Sequence, residues 1–400
     1  MLFDSISPAI YYSRPIPLRM MPAFYEGHLP AFSYTKLIHE ALHKPSLNPY
    51  YEKIFERGID PTPDGTSAAL ARQAQTWPTR AEIQAYGAAC DAAIEDALMN
   101  ADIDVPGDPL LDRAWAVWTI LEHEPMHHET FAYIMRRIPP QHKRPPDDYM
   151  PPRDAEHPPL SRVEIPSGVA TLGLRRDGET FGWDNEFEET QVRVDRFECD
   201  AYPVTNRQWM NFVRDGGPVP PFWLEDGGTF KLLGAWETLP MMESAPVWVT
   251  GDQARAYAAW CGRRVMTEAE YHRAAFGTPD EFERAYPWGD DPPSPIYGNF
   301  DWYSWDPMPV GSSPLGASAW GVHGLIGNGW EHTSTPFGPL PGFAPHPIYP
   351  PYSTDFFDGK HYVVKGASPV TSVELIRRSF RNWYYGDYPY LFAKFRTVLS

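Results

Sequence analysis

The residues best equipped for chemistry are consecutive: His123-Glu124-Pro125-Met126-His127-His128-Glu129. Residues four apart on an α-helix share a face, so His123 and His127 would project both imidazoles the same way. Two imidazoles on one face make half of a metal site, and a third ligand must come from elsewhere. Glu129 lies two positions past His127, about 200° further round a helix. It cannot readily join both histidines at one ion, and is better placed to fix a neighbouring group by a hydrogen bond.

The same letters satisfy two patterns. His-Glu-x-x-His is the zinc protease signature, with Glu124 as general base. His-x-x-x-His-x-Glu is a pattern of mononuclear iron enzymes. The residues after His127 lack the x-x-Gly-x-x-His continuation of one protease class, and Pro125 fits poorly in a straight protease helix. A metal-free reading is weakened because three of the thirteen histidines fall within six residues. For the third ligand the chain offers His28, in Tyr25-Glu26-Gly27-His28-Leu29-Pro30, and the pair His39 and His43. The latter pair reads as a solvated helix face.

The elements around these residues read as helical from about 35 to 137. Stretches 68–75 and 81–100 are rich in helix formers. Stretch 111–135 carries Leu111, Ala114, Trp115, Trp118 and Leu121 at helical spacing and contains the His pair. Pro125 removes a backbone donor and frees the carbonyl of Leu121, which predicts a kink or local widening. Between Pro139 and Pro159 stand eight prolines in four Pro-Pro pairs, a density no helix or central strand survives. Beyond 161 the texture changes to short strand-like runs at 163–165, 170–172 and 191–193, broken by Gly, Pro and Asn. Helices are expected at 206–215 and 253–262. A third begins at Thr267, a suitable N-cap with Glu270 at the capping-box position. After Tyr286 the sequence predicts loops and short strands.

Length predicts two domains. A net charge of −18 argues against a nucleic-acid or anionic-membrane partner, since both demand a basic face. Cys90, Cys199 and Cys261 are dispersed, which argues against a disulfide framework and for a reducing compartment. The N-terminus shows no basic segment followed by an apolar core, and no apolar run reaches about 18 residues. The expectation is a cytoplasmic protein.

These motifs, in this order, resemble the EgtB-like sulfoxide synthases of ergothioneine biosynthesis, including their selenoneine synthase relatives. The N-terminal part is similar to their DinB-like bundle through Gly27-His28, Phe55-Glu56-Arg57-Gly58-Ile59-Asp60-Pro61 and the His-x-x-x-His-x-Glu helix. The C-terminal part resembles the formylglycine-generating-enzyme fold. Its elements are Phe181-Gly182-Trp183-Asp184-Asn185-Glu186, Tyr202-Pro203-Val204-Thr205-Asn206, Thr267-Glu268-Ala269-Glu270-Tyr271, Gly327-Asn328-Gly329-Trp330-Glu331 and Arg378-Ser379-Phe380-Arg381-Asn382-Trp383-Tyr384. The implied fold class is α+β. A DinB-like helical bundle (1–138) is followed by a Pro-rich linker (139–160) and a C-type-lectin-like, formylglycine-generating-enzyme-like domain (161–400) with much irregular structure. That enzyme's own activity needs a cysteine pair near the C-terminal end. No cysteine follows Cys261, so the activity is not expected here.

The resemblance implies that His28, His123 and His127 hold Fe(II), with O2 as co-substrate. The implied reaction joins the imidazole C2 of hercynine to sulfur and oxidises that sulfur. Tyr349 and Tyr352 match by spacing a pair of active-site tyrosines, one of which delivers a proton. Asn382 and Trp383, with Tyr384 beside them, fall where the family binds substrate. A trimethylammonium group is attracted to aromatic faces by roughly 1–2 kcal/mol, and Trp383 offers such a face.

Three departures cluster in this region. Tyr384 stands where members using γ-glutamylcysteine carry an Asp, so an ammonium partner is missing. The run Gly366-Ala367-Ser368-Pro369-Val370-Thr371 differs from the family's Gly-Gly-Ser-Trp-Ala-Thr, and Met126 replaces a polar residue of some members. An aromatic at 384 and Tyr388-Pro389-Tyr390 resemble the fungal branch, which takes cysteine. The fused methyltransferase of the fungal protein has no counterpart in this sequence, so hercynine is expected ready-made. A selenosugar donor, lacking an amino-acid headgroup, would equally tolerate the change. The expected partners are therefore hercynine and a thiol or selenosugar.

Overall fold

The computed structural model describes residues 2–56, 77–177 and 180–399. Residues 57–61 of the quoted motif and the Ala-rich stretch 68–75 lie outside the described residues. Contacts divide the chain into two compact units. One holds Met1–Asp148 with Pro347–Tyr349, the other Tyr149–His346 with Pro350–Ser400.

The first unit is helical. Helix α1 (Pro22–Ser33) opens with Pro22 at its first position, where a missing N–H costs nothing. The helix is buried nearly all round, through Phe24, Tyr25, Gly27, His28, Ala31 and Phe32 among others. It runs directly into a wider π-helical stretch, Tyr34–Ala41, whose end shows the i→i+5 bond from Leu42 N–H to Leu37 O. Helix α2 (Pro49–Ile54) is capped by the Asn48 side chain. Helix α3 (Arg80–Asn100) starts at a Thr79/Glu82 capping box.

Helix α4 is Trp115–Arg136. It starts later than the spacing from Leu111 predicts, because Arg113 (φ 54°) and Ala114 (φ 57°) adopt left-handed backbone and break the α ladder. It continues unbroken through Pro125. Only part of its apolar surface turns inward. Trp118 and Leu121 are about half exposed, whereas Ala116, Ile120, His123, His127, Phe131 and Ile134 are buried. Their spacing of 4, 3, 4, 4 and 3 traces one helical stripe, so the His pair lies in the apolar face.

The second unit begins inside the Pro-rich stretch, which is tied down at both ends. Before the division, Arg144 N–H reaches Ser5 O, and Lys143 Nζ donates to Met135 O. After it, Tyr149 O–H donates to Asp306, and Asp154 accepts from the N–H groups of Glu243 and Ser244.

Thirteen short strands form four sheets among the described residues. One sheet orders β1 (Arg162–Ile165), β4 (Phe197–Asp200), β13 (Thr397–Leu399) and β8 (Arg264–Val265). A two-stranded ribbon joins β2 (Gly168–Leu172) to β3 (Thr190–Val194), and β5 (Trp223–Asp226), β6 (Thr229–Leu233) and β7 (Thr238–Leu239) form a meander. The fourth sheet runs β11 (Asn382–Tyr385), β10 (His361–Ala367), β9 (Gly329–Pro336) and β12 (Ala393–Lys394). Its β12–β9 pair is parallel.

Helices α5 (Asn206–Arg214), α6 (Gly251–Trp260) and α7 (Glu268–Phe276) each start at a capping box, from Thr205, Thr250 and Thr267 respectively. Such a cap contributes about 1 kcal/mol, and repetition of the device explains why these helix starts are readable. The core packs Trp209, Tyr257 and Phe395 in one cluster and Phe197, Tyr271 and Phe276 in another. Buried ion pairs stitch it together: Glu331 with Arg396 at 2.8 Å, Glu268 with Arg381 at 2.9 Å, and Glu186 with Arg377 at 2.5 Å. No helix among the described residues is long and apolar enough to cross a membrane.

Candidate metal centre

His28 on α1 meets His123 and His127 on α4. Each can offer a ring nitrogen such that all three lie within 4.8 Å of one another, and all three residues are buried. The His28 and His127 Nε2 atoms are 3.2 Å apart. Among the described residues this is the one cluster of three or more His, Cys, Asp or Glu side chains suited to a metal ion. Glu129 is buried but does not belong to it. Glu124 is exposed and pairs with His128 one turn on, at 3.4 Å, so it lies off the buried stripe. That removes the general base a protease would need. His39 and His43 are exposed, as a solvated face requires.

The three rings are held by packing. His28 Nδ1 lies 2.6 Å from the carbonyl oxygen of Phe55. A carbonyl only accepts, so Nδ1 carries the proton and Nε2 keeps its lone pair for a cation. Phe24 stacks on His28 (5.0 Å, 20°) and Phe32 on His123 (3.4 Å, 9°). Gly27 makes this possible, since a Cβ there would run into the Phe55 ring.

The pKa values of His123 and His127 fall well below 6.5. Burial is the main cause, and the neighbouring imidazoles add to it. Both rings are therefore neutral at pH 7, the state that ligates metal. Their Nδ1 atoms are buried without a hydrogen-bond partner. Neutral imidazoles crowded in an apolar interior leave polar atoms unsatisfied, a cost that a bound cation offsets. The residues thus fit a divalent transition metal. Three nitrogens suit zinc, copper and iron alike, so the donor set leaves the element open.

The two expected tyrosines, three residues apart, fall in different units. Tyr349 belongs to the first unit, where its ring meets Phe32 edge-on at 5.4 Å. It is thus one ring removed from His123. Tyr352 belongs to the second unit, stacked on Trp183 (4.1 Å, 25°) and edge-on to Trp383 (5.3 Å, 85°). Trp383 also stacks on Phe337 (4.3 Å, 7°) and approaches Phe356 (5.4 Å). The Asn382 side chain accepts the Trp383 N–H at 2.9 Å. All three expected substrate residues stand on β11, at the edge of its sheet. Strand alternation sends Trp383 to one face and Asn382 and Tyr384 to the other. Tyr384 packs against Tyr388 at 5.0 Å.

Residues 149–400 match the sulfatase-modifying factor enzyme 1-like domain family (FGE-sulfatase). The hercynine oxygenase of Mycolicibacterium smegmatis is 34% identical over 337 residues, spanning 77% of this chain and 74% of that protein. The chain belongs to the EgtB-like hercynine oxygenase family. The hercynine oxygenase of Mycobacterium tuberculosis is 36% identical, covering 55% of both chains. Ergothioneine biosynthesis protein 1 of Neurospora crassa is 27% identical, covering 96% of this chain and 54% of its own length. Against these last two the chain spans about half the relative's length. A match over 77% of the chain exceeds the 149–400 domain, so the likeness to hercynine oxygenases runs into the unit that holds the triad. The C-terminal part accordingly has the C-type-lectin-like fold of its domain family, with the helical unit before it.

The three histidines that the resemblance implies converge in the structure, but sequence reasoning did not name the groups that hold them. Phe55 acts through its backbone, which no side-chain pattern advertises. Phe32 follows His28 at a step of four, a signal that is visible once the helix is known to continue through 33.

Proposed function

We propose that this chain is a non-heme iron(II), O2-dependent enzyme that joins the imidazole C2 of hercynine to the sulfur of a thiol donor and leaves that sulfur as a sulfoxide. The observation that carries the reading is the convergence of three buried imidazoles, with candidate ligand atoms within 4.8 Å, in a member of the hercynine oxygenase family. The reaction balances with one O2. One oxygen ends on sulfur and the other leaves as water, taking up the thiol proton and the C2 proton.

His28, His123 and His127 would hold the iron, which when bound supplies O2 activation and a seat for the donor's sulfur. The apolar rings of Phe24 and Phe32 exclude water and hold the imidazoles in place. Of the two tyrosines, Tyr349 is the better proton carrier. Its phenol shares the triad's unit, and its ring touches the Phe32 that stacks on His123. Trp383 offers its face to the trimethylammonium group, an attraction of roughly 1–2 kcal/mol, and Asn382 offers an amide.

A second reading, a selenosugar donor, is favoured by one observation. Position 384 presents a tyrosine packed on Tyr388, not a carboxylate for an amino-acid ammonium. One experiment separates the readings. The protein is reconstituted anaerobically with Fe(II), O2 is admitted, and hercynine is offered with cysteine, γ-glutamylcysteine or a selenosugar. Product masses name the donor. Absence of hercynine-dependent O2 uptake with every donor overturns the proposal.

A further inference from the structure

We infer that Lys36 and Glu40 form the subsite for the zwitterionic headgroup of a free amino-acid thiol. Lys36 takes its α-carboxylate and Glu40 its α-ammonium. The inference rests on the proposed reaction and specifies its donor.

Placement is the first argument. His28, Phe32, Lys36 and Glu40 follow one another at steps of four along α1 and its π-helical continuation. In an α-helix each such step overshoots a full turn by about 40°. A π-helix has more residues per turn, so the same step falls short of a full turn. Switching from α to π at Tyr34 therefore cancels the drift and keeps Lys36 near the line of His28 and Phe32. The contacts agree. The Lys36 ammonium lies 5.9 Å from the Phe32 ring centroid and 5.4 Å from that of Tyr349. Phe32 is the ring stacked on His123. A fixed positive charge thus stands one aromatic ring from the triad and beside the proposed proton carrier.

Chemistry is the second argument. The Lys36 side chain is 14% exposed and that of Glu40 37%, so the pair runs from the interior to solvent. Lys36 Nζ donates to both Glu40 oxygens at 2.9 Å. An ammonium has three N–H donors, and among the described residues no protein acceptor takes the third. The remaining donor of this part-buried ammonium is open to a further acceptor, and a carboxylate is the strongest kind. Adjacent opposite charges match the adjacent charges of an α-amino acid. The same pair supplies the ammonium partner that Tyr384 does not.

The test compares L-cysteine with cysteamine, which lacks the carboxylate, and 3-mercaptopropionate, which lacks the ammonium. Each is titrated anaerobically into the Fe(II)-reconstituted full chain and then assayed with hercynine and O2. In the native protein L-cysteine should bind tightest. Lys36→Met should raise both Kd and KM for L-cysteine about tenfold or more and erase its advantage over cysteamine. Hercynine KM should stay unchanged, and Lys36→Arg should restore most of the loss. Glu40→Gln should erase the advantage over 3-mercaptopropionate. A general folding defect would weaken all three thiols together and leave their ratios intact. An equal loss for cysteine and cysteamine, or a rise in hercynine KM instead, overturns the assignment. Turnover with a selenosugar but not cysteine overturns it while the reaction at hercynine stands. If no donor supports turnover the proposed function fails, and the cysteine isotherms still decide the subsite.

Discussion

The Nδ1 of His28 is anchored, 2.6 Å away, by the backbone carbonyl of Phe55. That carbonyl is in place because the Phe55 ring packs where residue 27 has no side chain. Gly27→Ala should push the ring aside and release the imidazole from its fixed tautomer. Loss of such an orienting partner typically lowers metal affinity by about 10–100-fold. Competition with a chelator of known affinity measures this, and unchanged affinity would show that His28 needs no anchor.

Removing ligands should have a sharper effect. His123→Ala/His127→Ala should lose stoichiometric metal after desalting, whereas Glu124→Gln should retain it, because Glu124 is exposed and engaged with His128. Metal analysis of the two variants side by side checks both halves. Retention of a full equivalent by the double variant would sink the triad.

Asp184 gives a pH signature in the second unit. Burial raises its carboxyl to about 6 from 3.8, although Ser353 donates to it and so opposes the rise. A raised folded pKa means that the stability it contributes is full below pH 3.8 and is lost as pH climbs through 6. The difference corresponds to about 3 kcal/mol. Asp184→Asn should therefore gain stability relative to the native chain between pH 4 and pH 8. Urea midpoints at the two pH values test it, and parallel shifts would count against the burial argument.

Arg381 immediately precedes the proposed hercynine residues. Its guanidinium pairs with Glu268 and also donates to the carbonyls of Asn185 and Gly338, both at 3.0 Å. Arg381→Met leaves Glu268 charged and buried, and should cost about 3–5 kcal/mol. Adding Glu268→Leu should recover a large part of that loss. Denaturation of the single and double variants is the check, and equal losses in both would mean the ion pair is not the source.

Much of this was legible in local sequence. Thr267 with Glu270 marked a helix start, because capping is decided within four residues. The His123/His127 spacing was equally local. The spacing of Trp118 and Leu121 marks an apolar stripe on α4, yet the fold leaves both about half exposed. Hydrophobicity alone cannot say which of two apolar faces a partner covers. His28 could be named as a candidate third ligand only through family resemblance, because no spacing rule links positions 99 apart. The membership of Tyr349 in the first unit was not foreseen, because it depends on long-range packing.

That last feature bears on how the protein is made. Pro347–Tyr349 complete the first unit, yet they leave the ribosome after 346 of the 400 residues. The bundle can collapse early in synthesis, but it waits for almost the whole second unit before its last tyrosine arrives. A fragment ending at 148 would carry all three histidines and lack the tyrosine that packs on Phe32.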